Sequence, residues 1–120
     1  GVQTCALPIW SMGYEQISAE QFSQAEGVGD WRVLGEHAYA VFRTGSFVKG
    51  LELVNAIGEL AEAANHHPDL KLGYPSLAVH LTTHDTGSLT TADLDLAQRI
   101  SAAARDLGVG GDPEAVRAWE

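Results

Sequence analysis

Residues 61–84 read Ala61-Glu62-Ala63-Ala64-Asn65-His66-His67-Pro68-Asp69-Leu70-Lys71-Leu72-Gly73-Tyr74-Pro75-Ser76-Leu77-Ala78-Val79-His80-Leu81-Thr82-Thr83-His84. Pro68 bars His67 from helical dihedrals, and Asn65 is a reasonable C-cap, so a helix arriving from upstream ends at the double histidine. Leu70–Leu72 then reads as a short strand, Gly73-Tyr74-Pro75 as a turn, and Leu77–Thr83 as a second strand. Along that strand Leu77, Val79 and Leu81 point one way, while Ala78, His80, Thr82 and His84 point the other.

Upstream, the helix starts after a Ser46 cap. Phe47, Leu51, Val54, Gly58 and Ala61 form one apolar face, widened by Leu53, Ile57, Leu60 and Ala64. Gly50 and Gly58, poor helix formers, mark expected close packing on a sheet. Trp31–Leu34 and His37–Arg43 read as strands joined by a tight turn at Gly35-Glu36. Before them Ser18-Ala19-Glu20-Gln21 is a capping box for a short helix to about Ala25, with Ile17 and Phe22 as a hydrophobic staple. Downstream, Thr90 caps a last helix running to Leu107, with Leu94, Ala97, Ile100, Ala104 and Leu107 inward and Gly108 as its stop. Strands joined by short turns pair antiparallel. The expectation is an α+β fold of order α-β-β-α-β-β-α: a four-stranded antiparallel sheet with three helices on one face. The domain spans 12–108. Residues 1–11 resemble translated sequencing-adaptor read-through and are set aside, and 109–120 read as a flexible tail and a candidate truncation point.

The chain has 120 residues, 45% of them hydrophobic, which is one domain with a modest core. Sixteen acidic and seven basic residues leave a net charge of −9, a surface that repels phosphate backbones and excludes nonspecific nucleic-acid binding. No apolar run approaches a membrane span, and no signal peptide is evident. A single cysteine, Cys5, rules out a disulfide within the chain and agrees with a cytoplasmic protein.

Histidine is the side chain whose ordinary pKa allows proton exchange near neutrality. His66, His67 and His84 gathered around one cavity therefore point to proton transfer rather than thiol or redox chemistry. The full pattern is Glu62-x3-His66-His67-Pro68-x5-Tyr74-x9-His84-x8-Asp93, flanked by Asn65 and Asp69 and by Leu81-Thr82-Thr83-His84-Asp85-x-Gly87-x-Leu89-Thr90. Over about Ile17 to Leu107 this resembles the pterin-4a-carbinolamine dehydratases. The resemblance implies elimination of water from a 4a-hydroxytetrahydropterin to give quinonoid dihydropterin, in chains that assemble as homodimers or homotetramers. It implies catalytic roles for His66, His67, His84 and Asp93: His66 and His84 as the acid–base pair, His67 mainly holding the pterin, and Asp93 supporting the site. Substrate contacts are expected from His67, Tyr74, Thr83 and Glu62. No cofactor and no metal is required, because the nitrogen lone pair helps hydroxide leave. One departure is Leu70, where many relatives have a tryptophan able to stack on a planar ring.

Each residue also has a structural reading. His66 and His67 suit a helix C-terminus. Thr90-x-x-Asp93 is itself a capping box. Glu62 reads as a solvated helix residue and Tyr74 as turn packing. His37 and His80 lie outside the pattern and read as surface or interface residues. A metal held by His66, His67 and His84 ranks low, because adjacent histidines point apart. The main rival to an enzyme is a dimerisation or coregulator module of the same fold.

Overall fold

A computed structural model describes residues 15–83 and 88–116. Its elements are α1 (Ala19–Gln24), β1 (Trp31–Leu34), β2 (His37–Arg43), α2 (Phe47–Ala64), β3 (Asp69–Leu72), β4 (Ser76–Leu81), α3 (Thr91–Asp106) and a two-residue β5 (Gly110–Gly111), followed by a 3-10 turn at Pro113–Ala115. The main strands form an antiparallel sheet in the order β1-β2-β4-β3, and β5 pairs with β2 beyond the start of β1. This is the α+β architecture and element order expected from the sequence.

The strands alternate as a sheet covered on one face must. Ala38, Ala40 and Phe42 of β2 and Leu77, Val79 and Leu81 of β4 are buried and meet Phe22, Leu53, Ile57, Leu96 and Ile100 from the helices. Trp31 lies between Phe22 and Phe42 in edge-to-face contacts at 6.5 and 6.3 Å, and its indole Nε1–H donates to Ser101 Oγ at 2.9 Å. The opposite face carries Tyr39, His80 and Asp69 in one cross-strand row.

Helix α2 is rotated from the expected orientation. Its buried stripe is Gly50, Leu53, Ile57 and Ala61, whereas Phe47 and Leu51 are 45% and 44% exposed. Gly50 lies on the buried stripe, where a Cβ would stand 2.6 Å from Leu72 Cδ1 and the tip of that leucine would have to move. Gly58 has open space around it and does not mark a close approach. On α3 the buried positions include Asp93, Leu96 and Ser101, while Leu94 and Leu107 are only partly buried.

The segment read as a tail is built into the sheet over its described part, 109–116. Val109 and Val116 are buried, Gly110 and Gly111 pair with Arg43 and Phe42, and Arg43 forms a 2.6 Å ion pair with Asp112. Two glycines carry no strand period, so their pairing was invisible in the sequence. Gly111 is glycine because a Cβ would strike the Asp30 carboxylate.

Candidate active site

Helix α2 stops where the sequence says it should. Asn65 takes the left-handed conformation (φ 52°, ψ 43°), and His66 N–H donates back to Ala61 O at 3.1 Å. This closure is a common way of satisfying the last helical carbonyls. It also turns the two histidines apart. His66 goes inward and is buried, and His67 goes outward and is 55% exposed along its side chain.

The buried ring meets a buried carboxylate. His66 Nε2 lies 2.5 Å from Asp93 Oδ1, and Asp93 is fully buried in the first turn of α3. The other oxygen, Oδ2, accepts from the Thr90 backbone N–H at 2.9 Å and from the Thr83 hydroxyl at 2.7 Å. Proton counting then fixes the rest. Thr83 spends its hydrogen on Asp93, so in the 2.8 Å Thr83–Thr90 hydroxyl contact Thr90 is the donor. Thr90 Oγ1 in turn accepts from Ala92 N–H at 3.2 Å. Asp93 thus closes the capping box of α3 and holds His66 as well. The cap and the contact with His66 are served by different oxygens of one carboxylate. With an ionised Asp93 accepting from Nε2–H, the lone pair of neutral His66 resides on Nδ1.

The 88–91 segment that carries the cap is itself tied down. Ile17 N–H donates to Leu89 O at 3.1 Å, Thr91 N–H to Glu15 O at 2.9 Å, and Gln16 Nε2 to Ser88 Oγ at 2.8 Å. Thr83 N–H reaches Ser88 O at 3.2 Å across the intervening residues. His84 lies outside the described residues. Its chain neighbour Thr83 is buried, with its hydroxyl committed to the Asp93 network.

His67 Nε2 lies 2.6 Å from Glu62 Oε2, one helical turn back along α2. Glu62 is a solvated helix residue, its side chain 78% exposed, and it also pairs with the second histidine. Tyr74 is not brought to this end. The Pro75 carbonyl accepts from Thr44 and Gly45 N–H at 3.0 and 3.1 Å, just ahead of α2, so the turn sits by the helix start and Tyr74 is 70% exposed. Eighteen residues of helix, roughly 27 Å, separate that start from the histidines. Leu70 is 37% exposed on the edge strand.

His37 and His80, surface or interface residues by the sequence reading, form a second histidine pair. His37 Nδ1 lies 2.6 Å from His80 Nε2, and Tyr39 stacks on His80 with centroids 4.7 Å apart. Strand parity puts both on one face of the sheet, but only the β2–β4 register brings them side by side. Among the described residues no group of three or more histidine, cysteine or carboxylate side chains is arranged to hold a metal, and no helix is long and apolar enough to cross a membrane.

The fold and this end of it define a class: an antiparallel sheet backed by three helices, with a histidine–carboxylate pair where the central helix stops. The profile of the pterin 4 alpha carbinolamine dehydratase family matches residues 8–103, and the chain belongs to that family. Relatives named "Putative pterin-4-alpha-carbinolamine dehydratase" include one from Cyanothece sp., 43% identical over 83 residues (69% of this chain, 86% of the relative). Another, from Nostoc punctiforme, is 42% identical over 78 residues (65% and 84%). Among solved structures, a transcriptional coactivator/pterin dehydratase from Brucella melitensis has the same fold, with a TM-score of 0.69 at 22% identity, covering 75% of this chain and 99% of that one.

Proposed function

We propose that this chain dehydrates a 4a-hydroxytetrahydropterin to the quinonoid dihydropterin. The observation that carries the reading is the buried His66–Asp93 pair, an imidazole whose tautomer is set from behind by a carboxylate. In the reaction the C4a–O bond breaks, the hydroxyl leaves as water after receiving a proton, and a ring-nitrogen proton departs as the C=N bond forms. His66 Nδ1 takes that proton, and Asp93 stabilises the imidazolium that results. His84, which directly follows the Thr83 anchor, delivers the proton to the leaving hydroxyl. His67, gripped by Glu62, holds the pterin. Positioned proton transfer of this kind is worth roughly 10²–10⁴ in rate. Electrons are neither gained nor lost by the substrate, so the reaction asks for no redox cofactor.

The test is stopped-flow absorbance with chemically generated 4a-hydroxytetrahydropterin. Wild type should accelerate its decay. His66→Gln and His84→Ala should each slow turnover strongly, and His67→Ala should raise the Michaelis constant, because it removes ground-state contact. Decay at the background rate with folded wild-type protein would replace the enzyme with a binding module. We further propose a cytoplasmic homodimer or homotetramer. Phe47, Val48 and Leu51 on α2 form an exposed apolar strip suited to self-association, with Val48 67% exposed. Light scattering that shows only a 12.8 kDa species at micromolar concentration would refute it.

A further inference from the structure

On the face of the sheet away from the helices, three adjacent strands bring together two imidazoles and a carboxylate. His80 of β4 stands opposite Tyr39 of β2 and Asp69 of β3. Its Nδ1 lies 3.2 Å from Asp69 Oδ2, and its Nε2 lies 2.6 Å from His37 Nδ1. Asp69 accepts only, so His80 is the Nδ1–H tautomer and its Nε2 presents a lone pair. The His37 and His80 ring centroids are 4.8 Å apart with planes 27° from parallel. With the nitrogens 2.6 Å apart, His37 Nδ1–H donates to His80 Nε2, and the two nitrogens share one proton.

We propose that His37 and His80 form a two-imidazole site for a borderline divalent cation of the Cu2+, Ni2+ or Zn2+ class. Imidazole nitrogen favours these ions over Mg2+ and Ca2+. The entering ion takes the place of the shared proton, which leaves to solvent, and both nitrogens become ligands. Metal–nitrogen bonds of about 2.0–2.1 Å need the two nitrogens to separate to about 3 Å or a little more, a small ring rotation for side chains at a partly exposed surface. Asp69 supplies the outer carboxylate that commonly backs a metal-bound histidine. Tyr39, stacked on His80 at 12° between planes, holds that ring in register. Lys71 on β3, Arg32 on β1 and Arg43 on β2 are the cations of the same face, and Arg43 is paired with Asp112. Arg32 folds back onto the Gly29 and Trp31 carbonyls, leaving the approach to the imidazoles to the −9 field of the chain. No third protein ligand joins among the described residues, so water completes the coordination.

The test is calorimetric titration of the full chain with CuCl2, NiCl2, ZnCl2 and MgCl2, with circular dichroism as a check on folding. Wild type should bind one Cu2+ per chain more tightly than Ni2+ or Zn2+, with no response to Mg2+. His37→Gln and His80→Gln should each weaken Cu2+ binding by at least about tenfold, and Asp69→Asn by about tenfold, as loss of an outer carboxylate does. His67→Gln should bind as wild type, and His37→Gln should keep the dehydratase rate. Three results overturn the proposal: no saturation below millimolar Cu2+, unchanged binding in folded His37→Gln, or loss of binding in His67→Gln, which would move the ion to the double histidine.

Discussion

Asp93→Asn separates the two tasks of one carboxylate. The amide has one acceptor oxygen where the carboxylate had two, and three donors point at it: His66 Nε2, the Thr83 hydroxyl and the Thr90 backbone N–H. The backbone N–H cannot turn away, so the amide oxygen takes the Oδ2 place and the NH2 faces His66. The ring must then accept on Nε2 and carry its proton on Nδ1, the reverse of the wild-type tautomer. All three bonds to a charged acceptor become neutral ones, each weaker by about 1 kcal/mol, so the net loss of stability is about 3 kcal/mol. For a chain of this size that lowers the melting temperature by roughly 12 °C. On the proposed mechanism turnover should fall far more, by roughly 10²–10⁴, because His66 Nδ1 no longer has a lone pair. Stopped-flow absorbance reads the rate, and nitrogen-15 NMR of the imidazole reads the tautomer. A folded Asp93→Asn protein with wild-type turnover, or with His66 still protonated on Nε2, would refute the reasoning. Asp93→Ala is the harsher control, since it orphans all three donors at about 1–3 kcal/mol each and should leave little folded protein.

Ser101→Ala leaves the Trp31 indole N–H without its acceptor in the core and should cost about 1–3 kcal/mol by urea denaturation, without touching the rate of the folded protein. Truncation after Gly108 strips β5 from β2 and removes the buried Val109 and Val116, each worth about 1.5–3 kcal/mol, so the shortened chain should unfold at clearly lower urea. Asn65→Gly should preserve stability and turnover, whereas Asn65→Ala, forced into a left-handed backbone, should cost about 1–2 kcal/mol and lower turnover by misdirecting His66.

Much of the fold was legible because its boundaries are chemical. Ser18, Ser46, Thr90, Asn65 and Gly108 each mark a helix end by a mechanism that acts within a few residues, and the structure uses all five. The rotation of α2 was not legible, because Phe47 and Leu51 satisfy the helical period as well as the buried stripe does. The stripe that is buried takes in Gly50, against Leu72 of β3. In the site, the Glu62–His67 grip and the double duty of Asp93 depend on which way rings and carboxylates turn, which spacing alone does not encode. The His37–His80 pair required cross-strand register, a property of two segments forty-three residues apart in sequence.

The carboxylate that closes the first turn of α3 is the one that orients the buried imidazole. When that turn frays, Thr90 and Asp93 part and the ring loses its orientation in the same event. On the proposed mechanism, enzymatic competence carries its own melting curve, set by the opening of one helical turn and not by collapse of the whole chain. Activity should fade on warming before circular dichroism registers a change, and amide exchange at Asp93 and Leu94 should follow the same temperature profile as the lost rate.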